Sequence, residues 1–383
     1  MNFIEEFRQK HTRRTVTQLK SIQTLRAFAA IAVMIAHLQS VEARHAAEHA
    51  VLPPMLMSGF AGVDLFFVIS GFIMVWIAGD WAPGSTSAAK FLFARVTRIY
   101  PVWWLFAALT ALYFLIANGV PWDADLLSNF EVGGAEHLIK SMLLVPHEAF
   151  PVLTLGWTLM HEMYFYLVFA LLLLLPGHLR SGAMIAWAGL IGAGMLFGAT
   201  GFYADSLMSL ALYPMTLEFL LGAAIGLVIK SGWRRFALPA LGLSLIGFVA
   251  AIWVVDFTSK ADSLPILRTC LFGPPAALLV YAVAALELNQ TSKPWLHSSL
   301  VRIGDWSYSL YLCHILVISA VAELIFPTLR ASGLVSNLAF IVLASAAALI
   351  VAGLTYTLFE APLHKRARAA RTHLFKPPSD PAS

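Results

Sequence analysis

The chain has 383 residues, of which 59% are hydrophobic and only 12% charged, with a formal net charge of +4. Its mean hydropathy is +0.77. A soluble domain carries about a quarter charged residues, so this chain has too little charge to cover a globule of its size with a wetted surface. A soluble enzyme, a nucleic-acid binder and a disordered scaffold are disfavoured together. The composition is that of an all-α integral membrane protein, whose cationic excess belongs to cytoplasmic loops. Cys270 and Cys313 sit alone in apolar stretches and offer neither a disulfide framework nor a metal site.

A membrane crossing needs about 20 mostly apolar residues. Runs of that kind fall at 22–39, 57–78, 101–118, 157–176, 182–202, 206–229, 236–256, 265–288, 305–327 and 335–360. They predict a bundle of about ten transmembrane helices with both termini cytoplasmic. Lysine and arginine test the count independently. With the N-terminus inside, Arg44, Lys140, Lys260, Arg268 and Arg330 fall outside, Arg26 lies within the first span, and the remaining 19 of the 25 cations fall inside. An odd number of spans would scramble this bias.

The basic start and the apolar run 27–36 resemble a signal peptide. Arg26 at the mouth of that run, His37 at its far end and the lack of an Ala-x-Ala exit predict an uncleaved first helix instead. Residues 1–20 form a basic cytoplasmic segment, 21–362 the membrane domain, and 363–383 a basic cytoplasmic tail whose end, 377–383, reads as disordered. The long loop from Asn118 to Gly156 contains an amphipathic stretch, His137–Pro146, expected along the outer interface. No internal repeat with matching polar residues is visible, which weighs against an inverted-repeat transporter.

Ionisable groups inside a membrane are costly and become functional candidates by default. Eleven residues separate Arg26 from His37, which at about 100° each brings them back to within about 20° of one helix face, about 16 Å apart. Asp64 enters from the outside at a comparable depth, where a carboxylate can fix the tautomer of an imidazole. Glu162 lies at that depth on the fourth span, with Trp157 and Tyr166 expected on the same face and the adjacent His161 turned away. Arg95 and Arg98, at i and i+3, present one cationic face suited to phosphates. Each also has a bland reading: a snorkelling arginine, a capping histidine, a hydrogen-bonded or neutral carboxyl in helix packing, or cations bound to lipid headgroups. His314 and Tyr308 read as packing. No P-loop, Gly-x-Ser-x-Gly elbow, His-Glu-x-x-His or zinc-spaced set occurs.

These same residues resemble the acyltransferase-3 family of membrane acyltransferases. The resemblance rests on Arg26-x10-His37, on Gly62-Val-Asp64-Leu-Phe-Phe-Val-Ile-Ser70-Gly71, and on Arg95-x-x-Arg98 followed by Ile-Tyr-Pro. It continues through Gly156-Trp-Thr-Leu-x-x-Glu162-x-x-Phe-Tyr166, Glu218-Phe-Leu-Leu-Gly222, Gly304-Asp305-x-Ser307-Tyr308-Ser309-Leu-Tyr311-Leu-x-His314 and Phe359-Glu360-x-Pro362. The segment around Trp157 is most similar to the ExoZ-type exopolysaccharide O-acetyltransferase branch, in which His161 stands where a neutral polar residue is expected.

The resemblance implies about ten helices in a bacterial inner membrane. It implies transfer of an acyl group, acetyl in the first instance, from cytoplasmic acyl-CoA to a sugar hydroxyl of a polysaccharide or its lipid-linked precursor, with no metal. It further implies His37 as catalytic base or acyl carrier with Arg26 in support, and Arg95 and Arg98 on the coenzyme A phosphates. Asp64 or Glu162 would then orient the imidazole. Two other classes remain open at this point. A proton-coupled transporter or flippase would use the buried His, Asp and Glu as a relay, and a structural subunit of a secretion complex would use them only to pack helices.

Overall fold

The computed structural model describes residues 18–46, 50–197, 206–254, 265–289, 298–329 and 333–375. Among them the chain is built of helices and turns, without strands. Helix α1 (Lys20–Ala46) is followed by a 3-10 segment (Pro54–Phe60) that runs straight into α2 (Ala61–Ala78). Helix α3 (Ser85–Asn118) leads through the short α4 (Ala124–Leu127) and α5 (Gly134–Leu143) to α6 (Gly156–Leu172). Next come α7 (Gly177–Leu196), α8 (Leu207–Ala211), α9 (Thr216–Lys230), α10 (Ala237–Val254), α11 (Pro265–Leu288), α12 (Ser298–Leu329) and α13 (Leu334–Thr355). A single π turn, Tyr356–Glu360, joins α13 to α14 (Ala361–Leu374).

Nine helical segments among the described residues are long and apolar enough to cross a bilayer. The tenth expected span is α6, with only 17 residues. At a rise of 1.5 Å per residue it is about 25 Å long, a little less than a hydrocarbon core of about 30 Å. Lipid-facing surface is visible as exposed Leu109, Leu112 and Ile116 on α3 and Leu238, Leu245, Ile246 and Trp253 on α10. The cations at Arg8, Lys10, Arg13, Arg14, Lys260, Lys293, Arg330 and Lys376, and the tail 377–383, lie outside the described residues.

The third span differs most from expectation. The apolar run was expected to begin at Pro101, yet α3 passes through Pro101 and has 34 residues, about 51 Å. A helical proline removes one backbone donor, and here the chain continues through it. Helix α6 runs antiparallel along the first half of α3: Gly156 backs onto the Trp103 ring, and Gly84 N–H donates to Leu173 O at 3.1 Å. The basic tail likewise begins as helix, because Pro362 falls in the first turn of α14, where a proline N–H is not needed.

The amphipathic stretch forms α5, and it docks on the middle of α3. Its last carbonyls accept hydrogen bonds from three aromatic donors of α3. Trp103 Nε1 donates to Ser141 O at 3.2 Å, Trp104 Nε1 to Met142 O at 2.9 Å, and the Tyr100 hydroxyl to Leu143 O at 2.8 Å. These are carbonyls that a helix end leaves unsatisfied. Asn118 lies fourteen residues beyond Trp104, about 21 Å along the axis, so the loop folds back along α3 instead of extending past its end.

The most extensive helix pairings are α1 with α12 and α2 with α9. In the second, Gly71 and Gly222 face each other's helix so closely that a Cβ on either would overlap a carbonyl oxygen, of Phe219 or Val68 respectively. Small residues at such crossings let backbones approach in a membrane, where packing rather than the hydrophobic effect joins helices. The ends of α2 and α6 that lie far from His37 are stapled by cations. Arg180 donates to Leu175 O, Gly79 O and Trp81 O at 2.9–3.0 Å, and Lys230 pairs with Asp80 at 2.5 Å.

Candidate active site

A cavity opens between α1, α2, α3, α6 and α12. A water molecule's centre can range over about 70 Å³ of it, and its polar wall comprises Arg26, Ser70, Arg98, Thr158, Glu162 and Tyr166. A buried water needs about 10–15 Å³ on this measure, so the cavity is a slot for a few waters or a narrow apolar chain. Its remaining lining is largely apolar and aromatic: Val63, Phe66, Phe67, Ile69, Ile73, Met74, Ile99, Leu159, Tyr308 and Tyr311, with Ser307.

Each polar group is placed by its helix. Arg26 on α1 donates to Gln23 Oε1, one turn earlier, at 3.0 Å. Thr158, Glu162 and Tyr166 recur at i, i+4 and i+8 on one face of α6. The Tyr166 hydroxyl donates to Glu162 Oε1, and Ser70 Oγ donates to the same oxygen at 3.1 Å. Two cations and one carboxylate therefore line the cavity, an excess of positive charge that suits an anionic ligand.

Trp157 does not share this face, contrary to expectation. Five residues separate it from Glu162, about 140° around the helix, and its ring meets His161 at 5.8 Å. His161 is buried among aromatic rings, 6.2 Å from Phe67 and 4.5 Å from Tyr213.

The two arginines of α3 also separate. Arg98 lines the cavity, whereas Arg95 is buried beside it, its guanidinium over the rings of Phe91 and Tyr166 at 5.5 and 5.7 Å. Arg95 Nε and Nη1 have no hydrogen-bond partner.

Asp64 has a different partner from the one expected. Its carboxylate is gripped by Arg268 of α11: Nε lies 3.0 and 3.1 Å from the two oxygens and Nη2 lies 2.8 Å from Oδ2. Both residues are buried, at 0% and 5% exposure. Arg268 was counted with the outer-loop cations; it is a helix residue that neutralises Asp64. Neither Asp64 nor Glu162 hydrogen-bonds to His37.

The partner of His37 is His314 of α12, whose Nε2 lies 3.1 Å from His37 Nδ1. Nδ1 of His314 lies 3.0 Å from Leu310 O, and His37 Nδ1 lies 3.1 Å from Val33 O. The Phe60 ring meets His37 edge-on at 4.8 Å. Neither histidine lines the cavity; Tyr311 links the pair to its wall. Tyr311 lines the cavity, donates to or accepts from Thr158 at 2.9 Å, and holds its ring 6.0 Å from that of His314. The sequence read His314 and Tyr308 as packing; the signal that could have found this wall of α12 is the spacing of Ser307, Tyr311 and His314 at i, i+4 and i+7.

On the arginine side, Glu360 of the π turn accepts from Ser309 Oγ at 2.5 Å. Tyr308 donates to Ile99 O at 2.8 Å, pinning α12 to α3 beside Arg98. Among the described residues, no three His, Cys, Asp or Glu side chains are grouped to hold a metal.

The fold and cavity define a multi-pass membrane protein with a charged internal slot, and with a histidine pair linked to its wall through Tyr311. The chain belongs to the acyltransferase-3 family, whose acyltransferase domain matches residues 19–357. It is 34% identical over 322 residues to the exopolysaccharide production protein ExoZ of Rhizobium meliloti, covering 82% of this chain and 92% of that one. It is 29% identical over 332 residues to the acyltransferase MdmB of Streptomyces mycarofaciens, covering 79% and 80%. With the peptidoglycan O-acetyltransferase OatA of Listeria monocytogenes the identity is 25% over 377 residues, 93% of this chain and 57% of that one. No solved structure matches. The protein is thus a membrane acyltransferase.

Proposed function

We propose that this acyltransferase moves an acyl group, acetyl in the first instance, from cytoplasmic acyl-CoA to a sugar hydroxyl of an exopolysaccharide or its lipid-linked precursor. The bacterial inner membrane is the setting this reading requires, with both chain termini in the cytoplasm. The observation that carries it is the slot itself, cationic along its wall at Arg26 and Arg98 and lined by Tyr311, whose ring meets that of His314, the partner of His37. A flexible thioester arm would lie along such a slot with a phosphate held by Arg98, while Arg95, expected beside it on the phosphates, supports the wall from behind through Phe91 and Tyr166.

His37 then acts as general base. It takes the hydroxyl proton as the sugar oxygen attacks the thioester carbonyl; the carbon–sulfur bond breaks, and the thiolate leaves and is protonated. Arg26 stabilises negative charge inside the low-dielectric slot. Glu162, oriented by Tyr166 and Ser70, balances part of the arginine charge. Asp64, expected to orient the imidazole, serves instead to hold α2 against α11. The name of the relative ExoZ supports a polysaccharide acceptor, and that of OatA supports acetyl transfer.

The test uses membranes containing the protein, radiolabelled acetyl-CoA and a glycan extract of the host. Labelled ester should appear in the glycan fraction and vanish in His37→Ala with folded protein still in the membrane. No ester from any acyl-CoA would overturn the reading and return attention to transport.

A further inference from the structure

We infer that His314 is a positioning residue that fixes the tautomer of His37 and so leaves His37 Nε2 as the reactive nitrogen. The inference rests on the reading of His37 as the group that handles the hydroxyl proton.

A backbone carbonyl can only accept a hydrogen bond. Leu310 O lies 3.0 Å from His314 Nδ1, so that nitrogen carries the proton. In a neutral imidazole the other nitrogen then bears a lone pair, and His314 Nε2 is an acceptor. It faces His37 Nδ1 at 3.1 Å, so His37 Nδ1 must be the donor. Val33 O lies 3.1 Å from the same nitrogen, so the one Nδ1–H is shared between this carbonyl and the His314 lone pair, and the two acceptors act together. Were His314 to donate instead, the lone pair of His37 Nδ1 would face the lone pairs of Val33 O. Both neighbours therefore place the His37 proton on Nδ1 and leave the Nε2 lone pair free. The ring plane is held as well, by the edge contacts with Phe60 and His314, each at 4.8 Å.

In hydrolase triads a buried carboxylate performs this orientation. Here the candidate carboxylate, Asp64, is engaged by Arg268, and a neutral imidazole stands in its place. The consequence is chemical. When His37 Nε2 takes the hydroxyl proton, the imidazolium keeps its Nδ1–H bonded to the His314 lone pair, and no permanent negative charge has been added to the membrane interior. His314, 0% exposed, acts only through His37 and touches no reacting atom.

The test is made on the full chain in membranes or detergent with acetyl-CoA and the host glycan. His314→Leu, which removes the acceptor at similar volume, should lower kcat about a hundredfold or more while leaving KM for acetyl-CoA within about twofold; loss of the orienting group in a triad costs about 10⁴. His314→Gln can place its amide oxygen where Nε2 stood and should recover at least tenfold of that loss. In ¹⁵N-histidine spectra of the otherwise native protein, the signals lost in His37→Ala should show Nδ1 protonated and Nε2 bare. Leu and Gln variants that both match native kcat, or a His37 carrying its proton on Nε2, would overturn the inference. So would Gln and Leu variants equally impaired in kcat. Full activity in His37→Ala would instead remove the base reading itself, whatever His314 does.

Discussion

Arg268 holds both carboxylate oxygens of Asp64 at 2.8–3.1 Å across 204 residues of sequence. Its Nη2 also donates to Phe60 O at 2.9 Å, next to the ring that packs on His37. The pair thus ties α11 to the segment just before α2. Removing one partner of a buried ion pair costs about 3–5 kcal/mol, because the other is left uncompensated, whereas replacing both by apolar residues is often neutral. Asp64→Asn should therefore lower the midpoint of thermal unfolding in detergent sharply, and Asp64→Leu with Arg268→Met should restore it. Acyl transfer should return with stability in the double variant. Restored stability without activity would give Asp64 a chemical role.

The two arginines of α3 should separate experimentally. Arg98 lines the slot, and losing a charge-assisted contact to a phosphate costs about 1.5–3 kcal/mol. Arg98→Ala should thus raise KM for acetyl-CoA by about ten- to a hundredfold with unfolding unchanged. Arg95 stacks on Phe91 and Tyr166 in the core, so Arg95→Ala should reduce both activity and thermal stability. Steady-state kinetics and melting curves on the same preparations check both. Equal melting losses in the two variants would contradict the assignment.

The loop that folds back on α3 carries its own proton sensitivity. His147 Nε2 lies 3.0 Å from His137 Nδ1, and both side chains are buried. Burial, with His147 beside it, pushes His137 down from 6.5 to about 4; burial also lowers His147. A histidine whose folded value lies below its unfolded one gives docking that is complete above about 6.5 and weakens as pH falls toward 4. Amide exchange in residues 134–143, corrected for its intrinsic rate, should therefore be faster at pH 4.5 than at pH 7. His137→Leu should flatten that dependence. Equal protection at the two pH values would refute it.

Much of this site was legible because helical period is local. Arg26 and His37 on one face of α1, and Glu162 with Tyr166 on one face of α6, follow from spacing alone, although Thr158 and not the expected Trp157 completes that face. Partner choice was not legible, since it depends on which helices meet. Asp64 lay at the right depth for His37, but α11 supplies Arg268 and α12 supplies His314. The extent of α3 was missed because its charged half, with Arg95 and Arg98, breaks the apolar run while the backbone stays helical. The length of α6 follows from the same geometry: it needs only to match the half of α3 beside which it lies.

The glycine crossing of α2 and α9 has a mechanical consequence. Gly71 and Gly222 bring two backbones into direct contact, with no side chain between them to rearrange. Helices joined this way neither slide nor spread, so the pair forms a fixed post on one flank of the slot. Any change in the width of the slot is then expected where α12 meets α3, at the Tyr308–Ile99 hydrogen bond beside Arg98, and not at the glycine crossing.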